Sequence, residues 1–281
     1  MKSDVDIICS THRWPISSAI IEQWSLKLGS AGRILIGIDG GGAALIDTKR
    51  WPAVDVEHFE KAGANAIRNQ LVDKSSAYAL LFLDDDSYVE SGLIADAVEY
   101  LQDAPDVAIL TFPITLSRDG SYQARPMDIG TRERTFIGCG ALIRRDVYCA
   151  AGGFPVWYGY CMEESFLSAR CMQLGYKTVH YPHLKIIHHQ VSQFLNTPSK
   201  LFLFARNKLF WDWEFTPIAI LPFKVVRSFF VAFCLVGKAR SLSPLKGVLS
   251  ALFRVFRSQV RSGFKARRMT YAEFFEWNKL P

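Results

Sequence analysis

The sequence predicts an α/β fold with a mainly parallel central sheet and helices on both of its faces. Three observations carry that expectation. Short apolar, β-branched runs alternate with stretches of helical spacing through the first half of the 281 residues. Composition is ordinary for a globular chain, 49% hydrophobic and 21% charged, which argues against a disordered, collagen-like or disulfide-stapled protein. The six cysteines (Cys9, Cys139, Cys149, Cys161, Cys171, Cys234) form no C-x-x-C pair, so neither a zinc ribbon nor a dithiol redox motif is indicated, and scattered apolar cysteines suit a reducing compartment.

Val5–Ser10 reads as a buried first strand, and Ile16–Gly29 as a helix with Ile20, Ile21, Trp24 and Leu28 on one face. Arg33–Ile38 is a second strand ending at Asp39 and Gly40-Gly41-Gly42, and Val54–Phe59 a third before a helix over Asn65–Asp73. Tyr78–Leu83 is a fourth strand ending in Asp84-Asp85-Asp86, followed by a helix over Gly92–Leu101 and a strand at Val107–Ile114. Ser117–Ser121 has the Asp-Gly centre of a hairpin turn. Thr135–Arg144 is strand-like, Gly152–Pro155 a loop, Glu163–Leu174 a helix stopped by Gly175, and Lys177–His188 strand-like. In parallel sheets of this kind ligands bind beyond the carboxyl ends of the strands, which gathers Ser10–Arg13, Asp39 and Asp84–Asp86.

Charge is distributed unevenly. Residues 1–216 hold 21 Lys/Arg against 25 Asp/Glu, whereas residues 217–272 hold 11 Lys/Arg and no acid. A mildly acidic body with a basic tail points to an anionic surface, either membrane or nucleic acid. Apolar runs in the tail are interrupted: Ser228–Gly237, ten residues between Arg227 and Lys238, falls short of the roughly 20 that a spanning helix needs, so no spanning helix is expected. Over Leu245–Arg268, helical spacing puts Leu245, Val248, Leu249, Leu252, Phe256, Val260 and Phe264 on one face and Lys246, Arg254, Arg257, Arg261, Lys265 and Arg268 on the other, the pattern of an interfacial helix. Bulky apolar residues favour a membrane surface over nucleic acid, whose phosphates do not need them; a helix packed on the body is the plainer alternative. The N-terminus enters a strand directly, with no signal peptide expected.

Several residues carry candidate chemistry. Asp84 and Asp86, alternating along an extended chain, can aim at one point and offer the oxygen ligands that Mg²⁺ or Mn²⁺ requires; an acidic capping loop is the alternative. Glu163-Glu164 opens a helix behind Trp157, Tyr158 and Tyr160. Acids there complement the helix dipole, and desolvated by aromatics they can also act as a general base. His188-His189 at a strand end can contact metal or phosphate, or serve a structural hydrogen bond. Gly40–Gly42 lacks the G-x-G-x-x-G spacing, but Asp39 can accept from a nucleobase N–H or ribose hydroxyl, or simply start a turn.

In order, Ile8–Arg13, Gly37-Ile38-Asp39-Gly40, Ala66–Asn69, Phe82–Asp86, Gly152-Gly153-Phe154, Glu163-Glu164 with Arg170, Gly175-Tyr176 and His188-His189 resemble the family 2 glycosyltransferases of GT-A fold, over roughly residues 4–210. The resemblance implies a nucleotide-sugar site formed by Thr11, Arg13, Asp39, Arg68, Asn69, Asp84 and Asp85, with Asp39 at the base. It also implies a D-x-D motif in which Asp86 is the direct metal ligand, supported by Asp84, His188 and His189, and a catalytic base at Glu164, or at Glu163 because the family has Glu-Asp there. Arg206-Asn207-Lys208-Leu209 is similar to a segment of bacterial rhamnosyltransferase-like members.

The resulting expectation is an inverting, Mn²⁺- or Mg²⁺-dependent glycosyltransferase moving a hexosyl or deoxyhexosyl group from a nucleotide sugar to a lipid-linked or envelope-glycan acceptor. Residues 1–210 form the catalytic domain, and 211–281 a helical region peripheral to the cytoplasmic membrane face; no nucleic-acid partner is expected. Rival readings are a phosphatase with Asp84 as nucleophile and Asp86 as acid, and a non-catalytic nucleotide-binding scaffold on the membrane.

Overall fold

Alternation along the first strand divides the molecule into two cores. Val5, Ile7 and Cys9 of β1 (Val5–Thr11) enter one buried cluster, and Ile8 enters the other. The computed structural model describes residues 4–12, 16–40, 50–189, 197–256 and 268–281, so Arg13, Gly41-Gly42 and positions 257–267 lie outside the described residues.

On one face of β1, Ile20, Ile21, Trp24 and Leu28 of α1 (Ser18–Leu28) pack with Ala97, Val98 and Leu101 of α3 (Ile94–Asp103). On the other, Ile67, Leu71 and Val72 of α2 (Ala64–Lys74) meet Val147 of α4 (Arg145–Ala151) and Leu167 of α5 (Glu163–Gln173). The sheet is seven-stranded. Its β1 is flanked by β2 (Ile34–Asp39) and β4 (Ala79–Phe82), with β3 (Val54–Phe59) beyond β2. Past β4 come β9 (Ala141–Arg144), β6 (Val107–Thr111) and β10 (Lys177–His180). β9 alone runs antiparallel to its neighbours. Parallel register brings Thr11 level with Ile38 and Ile8 level with Phe82, so Thr11, Asp39 and Asp84 emerge together at one edge.

Two expected strands are divided, each at a proline, which breaks a ladder by lacking the N–H donor. Val107–Ile114 becomes β6 and, past Pro113, β7 (Ile114–Leu116). Lys177–His188 becomes β10 and, past Pro182, β11 (Lys185–His188). The later halves join a second, four-stranded sheet, β5-β11-β7-β8, with β5 (Ser87–Ser91) and β8 (Tyr122–Ala124). β11 pairs antiparallel with β5, setting His188 opposite Ser87, one residue past the aspartates. Of Thr135–Arg144 only the last four residues are strand.

The C-terminal region is helical: α6 (Pro198–Phe215), α7 (Leu221–Ala239), α8 (Ser243–Phe256) and α9 (Tyr271–Lys279). α6 runs through position 210, where the sequence placed the boundary between the two regions. A third core joins Phe166 of α5 to Leu209, Phe210 and Phe215 of α6, Val248 and Ala251 of α8, and Trp277 of α9. α8 crosses α6 closely at Gly247, where a Cβ would stand 2.4 Å from the Phe202 carbonyl oxygen. Within the described part of the stripe expected over Leu245–Phe264, the two neighbouring apolar residues face different surroundings. Val248 is buried against α6, while Leu249 and Phe253 are each 56% exposed on the outer side. Among the described residues, no helix is long and apolar enough to cross a membrane.

Glu214 of α6 is held in this third core, where burial raises its carboxyl to about 8 and Tyr158 Oη donates to it at 3.5 Å. A folded-state value above the ordinary 4.5 means that the fold favours the protonated form. Stability is therefore fully present on the acid side and is lost as pH rises through about 8. Glu214→Gln is expected to flatten the Tm profile across that range and to raise Tm at alkaline pH, as read by thermal unfolding.

Candidate functional site

Three aspartates follow β4 because the strand ends there. Ser87 closes the turn: its Oγ accepts from the Asp84 N–H at 2.9 Å and lies 2.9 Å from the Cys139 carbonyl oxygen, to which it donates. Each aspartate then meets a different partner. Asp84 Oδ1 accepts from Arg68 Nη2 at 2.7 Å. Asp85 accepts from the Thr11 hydroxyl at the end of β1. Asp86 Oδ1 lies 3.1 Å from His188 Nε2. Burial raises the Asp84 carboxyl, and the neighbouring Arg68 opposes that rise.

His188 is oriented from behind. Its Nδ1 is 2.7 Å from Gln123 Oε1 and 3.4 Å from Cys139 Sγ, which fixes the ring with Nε2 turned toward Asp86. Ligand atoms of Asp84, Cys139 and His188 all lie within 4.8 Å of one another. Burial pushes the Cys139 thiol well up, so it stands beside the oxygen and nitrogen donors as a neutral group. The Asp84 carboxylate and the His188 imidazole of this group, with the Asp86 carboxylate 3.1 Å from the imidazole, are donors that Mn²⁺ or Mg²⁺ accepts, and a cation would relieve the raised Asp84 carboxyl; the residues fit such an ion. His189 is placed differently. Its N–H donates to the Asp86 carbonyl at 2.7 Å, its ring lies 5.5 Å from Tyr88, and it lines a cleft of about 450 Å³ with Asp85, Asp86 and Gln23.

Arg68 joins the aspartates to the second group of acids. Burial alone would lower its guanidinium; Asp84, Glu163 and Glu164 more than offset this and raise it. Glu163 is 2% exposed, and its Oε2 has no hydrogen-bond partner among the described residues. Glu164 is half-buried, with its Oε1 against Gly138, where a Cβ would approach to 3.1 Å. Burial raises both carboxyls, Glu163 well above 4.5, helped by Glu164; for Glu164 the Gly138 amide and Arg68 pull the other way.

The pair is presented by a constrained approach. Cys161 and Met162 adopt left-handed φ of 72° and 71°, rare for residues with a Cβ. What holds them is the Arg206-Asn207 segment of α6. Asn207 Nδ2 reaches the carbonyls of Tyr158, Tyr160 and Cys161 at 2.9, 2.7 and 2.8 Å, while Arg206 Nη2 donates to Tyr158 and its Nε to Asn207 Oδ1 at 2.9 Å. Asn207→Ala removes the side-chain donor from the Tyr160 and Cys161 carbonyls and leaves that of Tyr158 to Arg206. It is expected to cost about 2–4 kcal/mol in denaturant unfolding and to depress any activity that depends on Glu163-Glu164.

On the other side of β1, Asp39 Oδ2 accepts from the Gly63 N–H at 3.1 Å, and its buried Oδ1 has no partner among the described residues, leaving an acceptor for a ligand N–H or O–H. Asn69 is engaged elsewhere. It exchanges hydrogen bonds with the Phe154 backbone at 2.9 Å in each direction and accepts from Tyr148 Oη at 2.5 Å, so it fixes the Gly152–Phe154 loop behind Arg68. Thr11, Asp84, Asp85, Asp86, Arg68 and His188 are thus brought together, with Glu163 and Glu164 across Arg68. Gln123, Gly138, Cys139 and Ser87 complete the site. No spacing signal marked Gln123, Gly138 and Cys139, because each reaches the site from a strand or loop remote in sequence, and Ser87 is an ordinary serine next to the aspartates.

No protein-family model matches the sequence, and no curated protein matches it. Solved structures do share the fold. GalNAc-T7 with UDP, GalNAc and Mn²⁺ superposes with a TM-score of 0.59 at 14% identity, covering 75% of this chain and 50% of that one. TarS of S. aureus gives 0.57 at 12%, covering 80% and 42%. The mannosyltransferase PcManGT of Pyrobaculum calidifontis, in complex with GDP-Man and Mn²⁺, gives 0.55 at 14%, covering 99% and 80%. The chain spans about half the length of the first and less than half of the second. The fold class is that of these transferases: GT-A, with a C-terminal helical extension.

Proposed function

We propose that the protein is a metal-dependent, inverting glycosyltransferase of family 2 type that uses a nucleotide-sugar donor. One observation carries the reading: Arg68 bonds Asp84 of the aspartate group that faces His188 and feels the charges of Glu163 and Glu164, so the two sets of acids meet at one arginine near the carboxyl edge of the sheet. A leaving diphosphate needs counter-charge, an attacking hydroxyl needs a base, and the residues on the two sides of Arg68 offer both.

Thr11, Asp39 and Asp85 line the nucleotide side, the free Oδ1 of Asp39 accepting from the base or ribose. Asp84, Asp86 and His188 would hold Mn²⁺ or Mg²⁺, which supplies positive charge to the diphosphate when bound. Arg68 keeps Asp84 in place and lends its own charge to that side. Glu164 takes the acceptor hydroxyl proton: it is the more exposed of the pair, and its raised carboxyl is a better proton acceptor than an ordinary glutamate. Glu163, nearly sealed from solvent, flanks Arg68 beside it and is not placed to meet the acceptor.

The acceptor is a lipid-linked or envelope glycan met at the cytoplasmic membrane face, and the C-terminal helices are the membrane-contacting region. What supports this is the basic, acid-free sequence over 217–272 together with the exposed aromatics Phe223, Phe230 and Phe233 of α7. Thermal unfolding against a panel of uridine, guanosine and thymidine diphosphate sugars with Mn²⁺ tests the donor. One nucleotide class should raise Tm only when the ion is present, and release of nucleoside diphosphate should follow. A panel that leaves Tm unchanged, or turnover of phosphomonoesters instead, refutes the reading.

A further inference from the structure

Between α6 and α7 lies a groove of about 190 Å³, away from the aspartate cluster in sequence and built from different residues. Phe204, Ala205, Val231, Ala232 and Leu235 make its apolar walls, and Lys208, Asp212 and Arg227 its polar end. Asp212 is 1% exposed; its Oδ2 accepts from Lys208 Nζ at 2.6 Å, and its buried Oδ1 has no partner among the described residues. Lys224 lies close enough for its ammonium, lowered first by burial, to feel the charges of Asp212, Lys208 and Arg227. Lys208, Arg227 and Lys224 thus stand around one carboxylate, a surplus of two positive charges, and after Glu214 no further acid occurs in the sequence before Glu273. A dianionic or monoanionic group complements that end.

The outer side of α7 continues the groove. At 100° per residue, Phe223, Val226, Phe230 and Phe233 share one face, and Arg227 and Val231 lie on the strip between that face and the groove. These four apolar residues are 68–75% exposed, with Leu249 and Phe253 of α8 also outward. Soluble surfaces seldom carry such a contiguous aromatic face.

We propose that the α6–α7 groove binds the phosphate and first methylenes of an anionic bilayer phospholipid, with the outer face of α7 lying in the bilayer around it. The volume supports this occupant. It is room for about six water-sized groups, enough for a phosphate and a short length of chain and too little for a whole polyprenyl chain. Lys208 and Arg227 take the phosphate oxygens, Val231 and Leu235 flank the methylenes, and the remaining chain stays in the bilayer. The inference rests on the membrane-face reading above and moves the contact from the Leu245–Arg268 helix to α7.

The test uses the full chain with phosphatidylcholine vesicles, with and without phosphatidylglycerol, and a photoactivatable phosphatidylglycerol whose adducts are mapped by mass spectrometry. Adducts should fall within residues 198–239. Arg227→Glu should weaken binding to phosphatidylglycerol vesicles roughly 10–30-fold, two charge units at about 1 kcal/mol each, and leave phosphatidylcholine binding unchanged. Phe230→Ser, at an exposed position that cannot unfold a core, should weaken binding to both vesicle types. Vesicle binding by Arg227→Glu within twofold of the native chain, adducts confined to α8 or beyond, or displacement of the probe by a polyprenyl phosphate rather than by phosphatidylglycerol would overturn the assignment. Nucleotide-sugar binding is measured in parallel on the same protein. Its absence refutes the transferase reading alone, and the vesicle and adduct results still decide the groove.

Discussion

Glu164→Gln is expected to lower glycosyl transfer by roughly 10²–10⁴ while leaving Mn²⁺-dependent donor binding intact. The amide keeps the volume and the hydrogen bond from Gly138 but cannot take a proton. Single-turnover rates and donor titrations on the same protein separate the two effects. A pH signature accompanies the loss. Burial raises the Glu164 carboxyl, with Arg68 and backbone amides only partly opposing it, so the protonated form persists above the ordinary 4.5. A general base works deprotonated; the native rate should therefore rise with pH along an acid limb displaced upward from that value, and the limb should vanish in Glu164→Gln. The same sign governs folding. Because both folded-state carboxyls are raised, the pair favours the fold on the acid side and opposes it increasingly as pH rises through their titration. Glu163→Gln should consequently raise Tm at neutral pH with most activity retained. A dead Glu163→Gln beside an active Glu164→Gln would transfer the base to the more buried position.

The parts of this fold that were legible in the sequence are those fixed by local pattern. β1, β2 and β4 announce themselves as largely apolar runs followed by polar residues, β3 as a short alternating segment, and α1 places its four predicted residues, Ile20, Ile21, Trp24 and Leu28, in the core. The aspartates at the end of β4 follow from the same logic. Illegible were the consequences of Pro113 and Pro182. Each proline hands the following segment to a second sheet, and it is that sheet, not the first, that carries His188 to Asp86 and Gln123 to His188. Periodicity cannot state which sheet a four-residue strand joins, because pairing is decided by chain segments far away in sequence. The tail was half legible for a related reason. Helical spacing marks an apolar face over Leu245–Phe256 but cannot distinguish lipid from protein as its neighbour. Gly247, which lets α8 approach α6, decides it for Val248.

Asp86→Ala is expected to abolish transfer and to remove the metal dependence of nucleotide binding. Its carboxylate is the one that faces His188 Nε2, at 3.1 Å, whereas Asp84 is committed to Arg68 and Asp85 to Thr11. Loss of Asp86 therefore removes the carboxylate that faces the His188 imidazole, whose far nitrogen lies against Gln123. The ion and the diphosphate stabilise each other, so losing either ligand should show twice: in calorimetric Mn²⁺ binding, and in the drop of nucleoside-diphosphate affinity to its metal-free level. The two histidines then divide cleanly. His188→Ala should reproduce the Mn²⁺ defect. His189→Ala should weaken nucleotide binding modestly while Mn²⁺ binding persists, because its ring lines the cleft beside Tyr88 and its backbone N–H, which the substitution keeps, is what donates to the Asp86 carbonyl. If His189→Ala is the variant that loses the ion, or if Asp86→Ala turns over in excess chelator at the native rate, the D-x-D assignment falls with it.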